Sequence, residues 1–469
     1  MRKEVAILVV ILLVGLFFRL ALLCCMEGEK LEIVDETHYN ALALELHDSG
    51  CYASDARLVS LRPPLYPWAV SEIYRVFGAE NFLAVRVFQI ILSLLTTVGV
   101  YFLSREVYPD DKHGIALLAA ALFCFYPSLI VDCFFLLTET VFTFFLVCVL
   151  LTAVRFFRTQ SLYAIAFCGV FIGLGALTRS ILWLSPAPFA IFVWLVSRGT
   201  PWWRRIAAVF LLLLFSSCTM APWIIRNTRV QKTFTAIDCM SGRNLMMGNY
   251  EFTPMYRAWD AIVISAPNDW MSVLAKDYRN EVGESLYSKT QGEKDRAASR
   301  YALRYMAKNP VQTLERMGVK ALCFWQLERS IPGGFARGWW GAPEGKTERT
   351  ILLVFVFGLI NFFYVAIFAS ALGGVFSSDF RGKEGVCLAF FLCVVVFFWG
   401  IHSLVFAHER YHLPLIPILA LIASKFWCSF PQSWQYLKKH PAKLGVCGGM
   451  LLVYAVFWCC EIGIYNTSR

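Results

Sequence analysis

Two acidic residues stand side by side at Asp35-Glu36, and a stiff basic turn, Arg62-Pro63-Pro64, follows them. Adjacent carboxylates cannot share one direction on a helix, so the pair has two different tasks. One can act as general base, its pKa raised by burial in an apolar, partly dehydrated pocket; the other can orient it or hold a cation. The two prolines fix φ and hold Arg62 on rigid backbone. A guanidinium held in that way suits a phosphate, which it grips with two parallel hydrogen bonds. Further polar residues stand at the ends of apolar runs: Asp132, Glu139, Arg179, Arg226, Asn227, His402, His408 and Arg410. Each has a plainer reading as well: an acidic start to an interfacial helix, a structural loop arginine, or an arginine snorkelling at a helix end.

His408-Glu409-Arg410-Tyr411-His412 matches the zinc-protease pattern HExxH. That chemistry needs both histidines on one face of a continuous helix with the glutamate as base. Pro414 follows two residues later, and its ring would clash with the carbonyl of Arg410, so the segment reads as a loop ahead of a span. No third ligand is evident, and an intramembrane metalloprotease fits poorly.

The elements that must carry these residues are set by composition. Of 469 residues 58% are hydrophobic and 16% charged, with mean hydropathy +0.58 and 40 Phe, 15 Trp and 19 Tyr. Soluble domains are about 45–50% apolar and about 25% charged, so a soluble enzyme is excluded. A bilayer core needs roughly 20 apolar residues per helix. Eleven stretches qualify, near 5–25, 82–103, 114–131, 136–154, 162–178, 181–197, 206–225, 351–373, 385–401, 412–428 and 445–464. The first follows Arg2 and Lys3 but lacks a small-residue cleavage site and reads as an anchor.

With the N-terminus inside, fifteen Lys and Arg fall on the inner side, while the short external turns hold Arg179 and Arg410 alone. That asymmetry orients the chain and accounts for the net charge of +10 without nucleic acid. The chain then divides into an N-terminal transmembrane region (1–225) whose first external loop (26–81) carries Asp35-Glu36, an external segment (226–350) and a C-terminal transmembrane region (351–469). Stretches 35–47 and 67–77 read as interfacial helices, and 311–325 as a helix too short to cross that docks on the bundle. The sixteen Cys form no CxxC pair and sit mostly in apolar runs as small hydrophobes; Cys51 and Cys239, both in external loops, are left open as a pair.

The ordered motifs resemble the polyprenyl-phosphate-sugar-dependent glycosyltransferases of the GT-C fold: the family 39 protein mannosyltransferase-like enzymes, the aminoarabinose transferases of lipid A and the Rgt-type galacturonosyltransferases. The resemblance rests on Asp35-Glu36-x-x-Tyr39, Arg62-Pro-Pro-Leu-Tyr-Pro67, Leu137-Thr-Glu139-Thr, Gly173-Leu-Gly-Ala-Leu-Thr-Arg179, Pro222-Trp-Ile-Ile-Arg226-Asn227, Gly242-Arg-Asn-Leu-Met-Met-Gly-Asn249 and Arg410-Tyr-His-Leu-Pro414. It runs from about residue 5 to about residue 420.

The resemblance implies an all-α membrane protein with Asp35 as base and Glu36 beside it. Arg62, with Arg179 and Arg410, would bind the lipid phosphate, and Tyr39, Glu139 and His408 would line the substrate site. Some relatives carry a metal-binding acid just before the equivalent of Arg62. Leu61 stands there in this chain, so no cofactor is assigned and a divalent metal is left open. The expected activity is inverting transfer of a sugar from a polyprenyl phosphate to a lipid A, glycan or protein acceptor at the outer face of the inner membrane. Two other classes compete. A lipid-linked sugar flippase would show midplane ionisable residues and broken helices in repeated halves. An O-antigen ligase or polymerase would concentrate its site in one late loop.

Overall fold

The structure, a computed structural model, describes residues 2–25, 30–53, 59–111, 114–339 and 345–467. Every regular element among them is a helix. The N-terminal region comprises α1 (Arg2–Cys25), α2 (Val34–Ser49), α3 (Leu65–Phe77), α4 (Phe82–Val107), α5 (Ile115–Cys124), α6 (Pro127–Val131), α7 (Glu139–Thr159), α8 (Leu162–Thr178), α9 (Pro186–Val196) and α10 (Trp202–Gln231). Then come α11 (Ser241–Met247), α12 (Trp270–Val282), α13 (Gln291–Lys308), α14 (Pro310–Phe324) and α15 (Ser330–Ala336), followed by α16 (Lys346–Ser377), α17 (Gly382–Leu404), α18 (Ile416–Cys428), α19 (Phe430–Lys439) and α20 (Pro441–Thr467).

Each of the eleven apolar stretches contains helix, yet the count of eleven spans is not confirmed. Among the described residues eight helices are long and apolar enough to cross a membrane, or nine if Ile115–Cys124 and Pro127–Phe134, bent by 57°, form one span. The shortfall lies in α8, with 17 residues, and α9, with 11. Proline is the cause at two places. Pro127 starts α6 and cannot prolong α5, and Pro186 and Pro188 start α9 after the turn Ser180–Leu184. Apolar length decides what is buried, but proline decides where a helix begins. α10 runs on past residue 225 to Gln231, which puts Arg226 and Asn227 in its last turns.

α2 and α3 appear where interfacial helices were expected and pack on each other. Tyr74 Oη donates to Asn40 Oδ1 at 2.7 Å, and the Tyr39 and Tyr66 rings meet edge-on at 5.2 Å. The main apolar core fills the space between α4, α5, α7, α8, α10 and α16–α18, and a second lies under α2 and α3. A third, from Met246, Tyr250, Leu274 and Ala298, closes on Phe406 beyond α17 and thus ties the stretch between α10 and α16 to the bundle. α14 docks there too, with Trp399 Nε1 donating to the Ala321 carbonyl at 2.9 Å. Cys51 and Cys239 are not joined; the first is exposed and the second buried.

Candidate active site

Asp35 lies in the first turn of α2 and Arg62 in the turn that leads into α3. Arg62 Nη2 donates to Asp35 Oδ1 at 2.5 Å and stands 3.1 Å from His38 Nδ1, and its guanidinium sits 5.3 Å over the Tyr39 ring. Arg410, in the single turn Glu409–Tyr411 ahead of α18, donates to the other oxygen, Asp35 Oδ2, at 3.1 Å. One carboxylate thus joins residues 375 positions apart.

Burial pushes the Asp35 carboxyl up, but the Arg410 and Arg62 guanidiniums outweigh it and hold the group well below the usual carboxylate range. This corrects the expectation that burial alone would raise it: desolvation counts for less than two cations in contact. The guanidiniums also carry spare donors, since the Nε atoms of Arg62 and Arg410 are buried with no hydrogen-bond partner. Buried donors left unmade are costly, and an anion entering the site is one acceptor that would satisfy them.

Glu36 lies apart from Asp35. Its Oε2 accepts from the backbone N–H groups of Glu32 and Ile33 at 2.8 and 2.9 Å, and its Oε1 accepts from Leu136 N at 2.8 Å. Burial pushes its carboxyl up, opposed by those same three amides. Glu36 lines neither cavity described below. It closes the start of α2 and pins the stretch before α7. Gln89 Nε2 donates to the carbonyls of Cys133 and Phe135 at 2.9 and 2.8 Å, and Arg86 Nε to Phe134 at 3.2 Å, fixing the same stretch. That stretch delivers Glu139, whose carboxylate pairs with Arg179 at 2.9 Å. Arg179, at the end of α8, lies 5.6 Å over Phe142 and 5.7 Å over Tyr411.

The cluster separates two cavities. A smaller one, about 170 Å³, is lined by Asp35, Tyr39, Arg62, Glu139, Arg179 and Arg410, and His402 also borders it. A larger one, about 630 Å³, shares Asp35, Arg62, Glu139 and Arg410 and adds His408 and Asp132. Arg226 and Asn227 line neither. Arg226 donates to the carbonyls of Tyr52 and Val59, and Asn227 Oδ1 accepts from Ser60 Oγ at 3.1 Å, so both brace the loop that carries Arg62.

The HExxH segment is not one helix: Glu409–Tyr411 and Leu413–Leu415 are separate short turns. His412 is fully buried, with Nε2 3.0 Å from Glu328 Oε1 and its ring stacked on Tyr364 at 4.6 Å. His408 packs edge-on to Trp259 at 4.9 Å. Among the described residues no group of three or more His, Cys, Asp or Glu could hold a metal ion. Each Asp35 oxygen faces an arginine instead. The donor set does not fit the divalent cation that Leu61 left open.

Sequence reading missed several lining residues of the larger cavity, among them Arg243, Trp259, Glu328, Arg337 and Trp339. Arg243 carried a signal, because it belongs to the quoted Gly242-Arg243-Asn244 motif. Asp295 Oδ1 accepts from the N–H groups of both Gly242 and Arg243 at 2.9 and 3.0 Å. A Cβ at Gly242 would stand 2.0 Å from the Asp295 carbonyl oxygen, so only glycine permits that approach. The tryptophans carried no such signal: without a helical period around them, nothing in the sequence assigns them to a cavity.

Residues 61–225 match the model of the family described as dolichyl-phosphate-mannose-protein mannosyltransferase. The chain is similar to the Archaeoglobus fulgidus oligosaccharyltransferase in its apo form at 12% identity and TM-score 0.51, covering 97% of this chain and 55% of that one. A second structure, the oligosaccharyltransferase AglB of the same organism with an inhibitory peptide and a dolichol-phosphate, aligns at 12% identity and TM-score 0.46 over 96% of this chain and 54% of that chain. ArnT from Cupriavidus metallidurans bound to undecaprenyl phosphate aligns at 16% identity and TM-score 0.36, over 90% of this chain and 76% of that chain. The chain therefore spans about half the length of the oligosaccharyltransferases it matches. Among curated protein sequences none matches. The protein is a multi-pass membrane protein with the GT-C fold, and the family resemblance seen in the motifs is borne out across residues 61–225.

Proposed function

We propose that this protein is a glycosyltransferase that moves a sugar from a polyprenyl-phosphate donor to an acceptor hydroxyl or amine. The reading places the N-terminus in the cytoplasm and the Asp35 cavities at the outer face of the inner membrane. The observation that carries it is one carboxylate held between Arg62 and Arg410 where two cavities meet. A donor and an acceptor can then reach the same oxygen atoms from two sides. The family matched by residues 61–225 bears the name of a dolichyl-phosphate-mannose-dependent transferase, which supports the donor class.

The acceptor attacks the anomeric carbon and its proton passes to Asp35. The bond from that carbon to the phosphate oxygen breaks, and the lipid phosphate leaves with the electron pair. One displacement inverts the configuration. A departing phosphate ester is already a weak base, so it needs electrostatic stabilisation rather than a general acid. Arg62 and Arg410 supply that, with Arg179 behind Glu139. Asp35 at rest is a poor base because both guanidiniums hold it ionised. A phosphate entering the site draws on the same guanidiniums, loosens that grip and raises the affinity of Asp35 for a proton when one must be taken.

The test is transfer from a synthetic polyprenyl-phosphate sugar by wild-type protein and Asp35→Asn in lipid discs, alongside mass spectrometry of envelope lipids and glycoproteins from cells with each form. Loss of one sugar modification only with Asp35→Asn supports the reading. Full transfer by Asp35→Asn refutes it.

A further inference from the structure

α7 has 21 residues from Glu139, at the Asp35 cavities, to Thr159, which at 1.5 Å per residue is about 30 Å, the depth of a bilayer core. Its last turn therefore lies at the opposite membrane face, where the ends of α16 and α18 and the start of α17 also meet. There a cavity of about 550 Å³ is lined by Tyr108, Arg158, Lys383 and Lys425 together with Arg381, and by the carboxylates Asp379 and Glu384. Four cations face two anions.

The cations are not consumed by those anions. Arg158 spends Nη2 on the Val107 carbonyl, and its Nε is buried with no hydrogen-bond partner. Lys383 Nζ donates to the Arg158 carbonyl at 2.9 Å, and Lys425 Nζ rests 5.1 Å over the Tyr108 ring. Among the described residues the one ion pair within the cavity lining, Arg381 with Asp379, is 3.9 Å long and exposed at 93% and 68%, too weak to neutralise the interior. Gly382, at φ +66°, makes the reversal that brings Lys383 over the cavity.

The surroundings tell what kind of anion fits. Beside the cavity, Trp427 at the end of α18 and Phe430 and Trp434 of α19 form an exposed stack with ring separations of 5.3 and 6.3 Å, and Lys438 and Lys439 end α19. Aromatic stacks of this kind, with lysines beyond them, sit at the level of lipid headgroups. Apolar Leu388 and Phe426 complete the wall on the bundle side. We infer that this cavity binds the phosphate of an anionic glycerophospholipid in the leaflet opposite the Asp35 site, gripped by Arg158, Lys383 and Lys425. The inference rests on these residues and not on the activity proposed above.

The test is native mass spectrometry of the full-length protein titrated with phosphatidylglycerol, phosphatidylcholine or inorganic phosphate. Phosphatidylglycerol should bind at least about 10-fold more tightly than phosphatidylcholine, and the Lys383→Gln/Lys425→Gln variant should lose about 10- to 30-fold of that affinity. Lys425→Arg should keep it, which separates loss of charge from misfolding. Lys438→Gln/Lys439→Gln, outside the cavity, should keep it as well. Equal binding of the two lipids, or an unaltered double cavity variant, overturns the proposal. So does an equal loss on removing Lys438 and Lys439, which would make the effect one of diffuse surface charge. Displacement of the lipid by an equal concentration of inorganic phosphate would assign the site to a soluble anion and overturn it too.

Discussion

Two clusters in this molecule contain the same kinds of groups, an acid beside a base, and differ in what surrounds them. In one, Glu328 accepts from Tyr126, Ser128 and His412, while His412 stacks on Tyr364 and places Nδ1 2.9 Å from the Phe324 carbonyl. Every polar atom of that pair is engaged from within the bundle. In the other, Asp35 binds Arg62 and Arg410, yet both arginines keep buried Nε donors unpaired and the carboxylate borders both cavities. Of the motif that looks catalytic in sequence, His412 belongs to the first cluster and Arg410 to the second, where the capacity to bind lies. Buried groups whose hydrogen bonds are complete hold a fold together; unpaired donors that also border a cavity are free to take a ligand.

The difference can be broken most sharply at Asp35. Asp35→Asn should lower transfer by about 10²- to 10⁴-fold with an unchanged melting profile. Glu36→Gln should do the reverse: about 1–3 kcal/mol of stability lost through its three amide partners, with turnover per folded molecule retained. A turnover loss in Glu36→Gln as large as that in Asp35→Asn would erase the distinction between the two carboxylates.

Arg62→Gln comes next. It should cost about 10²-fold or more in kcat/KM, since a charged hydrogen-bond donor to the phosphate is lost. It should also change the pH profile. In the wild type, the depressed pKa keeps Asp35 ionised, so no acid limb from this group should appear above about pH 4, the ordinary aspartate value. Without Arg62 burial regains weight and an acid limb should move up into the measurable range. A wild-type profile already falling below pH 6 through Asp35 would contradict the ion-paired geometry.

Glu328→Gln should leave kcat within a few-fold and lower stability by about 1–3 kcal/mol, read from thermal melting in detergent. The smallest effect is expected at Lys320, which is buried with Nζ donating to Asn249 Oδ1 at 2.9 Å and to the Leu404 carbonyl at 3.2 Å. Burial first and then Arg316 push its pKa down to about 7. Between that value and the ordinary lysine value the unfolded chain binds the extra proton, so stability should rise with pH across that window. Lys320→Met should flatten the rise in melting temperature between pH 7 and 9.

Much of the candidate site was legible in the chain. Asp35 was singled out by its neighbouring carboxylate, Arg62 by the two prolines after it, and Glu139, Arg179 and Arg410 because charge at the end of an apolar run demands a reason; all five line the smaller cavity. Glu36 was legible as a residue but not in its place. Which of two neighbouring carboxylates faces the cavity depends on where the backbone of Leu136 runs, 100 residues away. The count of eleven spans is not confirmed for a local reason, the prolines that cut α5 from α6 and start α9 late.

Hydrophobicity and charge are properties each residue carries by itself, so the order of residues alone determined the membrane class, the positions of the apolar helices and the set of charged residues that needed partners. Tertiary structure decided the rest: which partner each charge takes, that Asp35 is ionised between two arginines, and that Trp259 and Trp339 line the larger cavity. Ion pairs and cavities depend on distances between residues far apart in the chain, and folding alone fixes those distances.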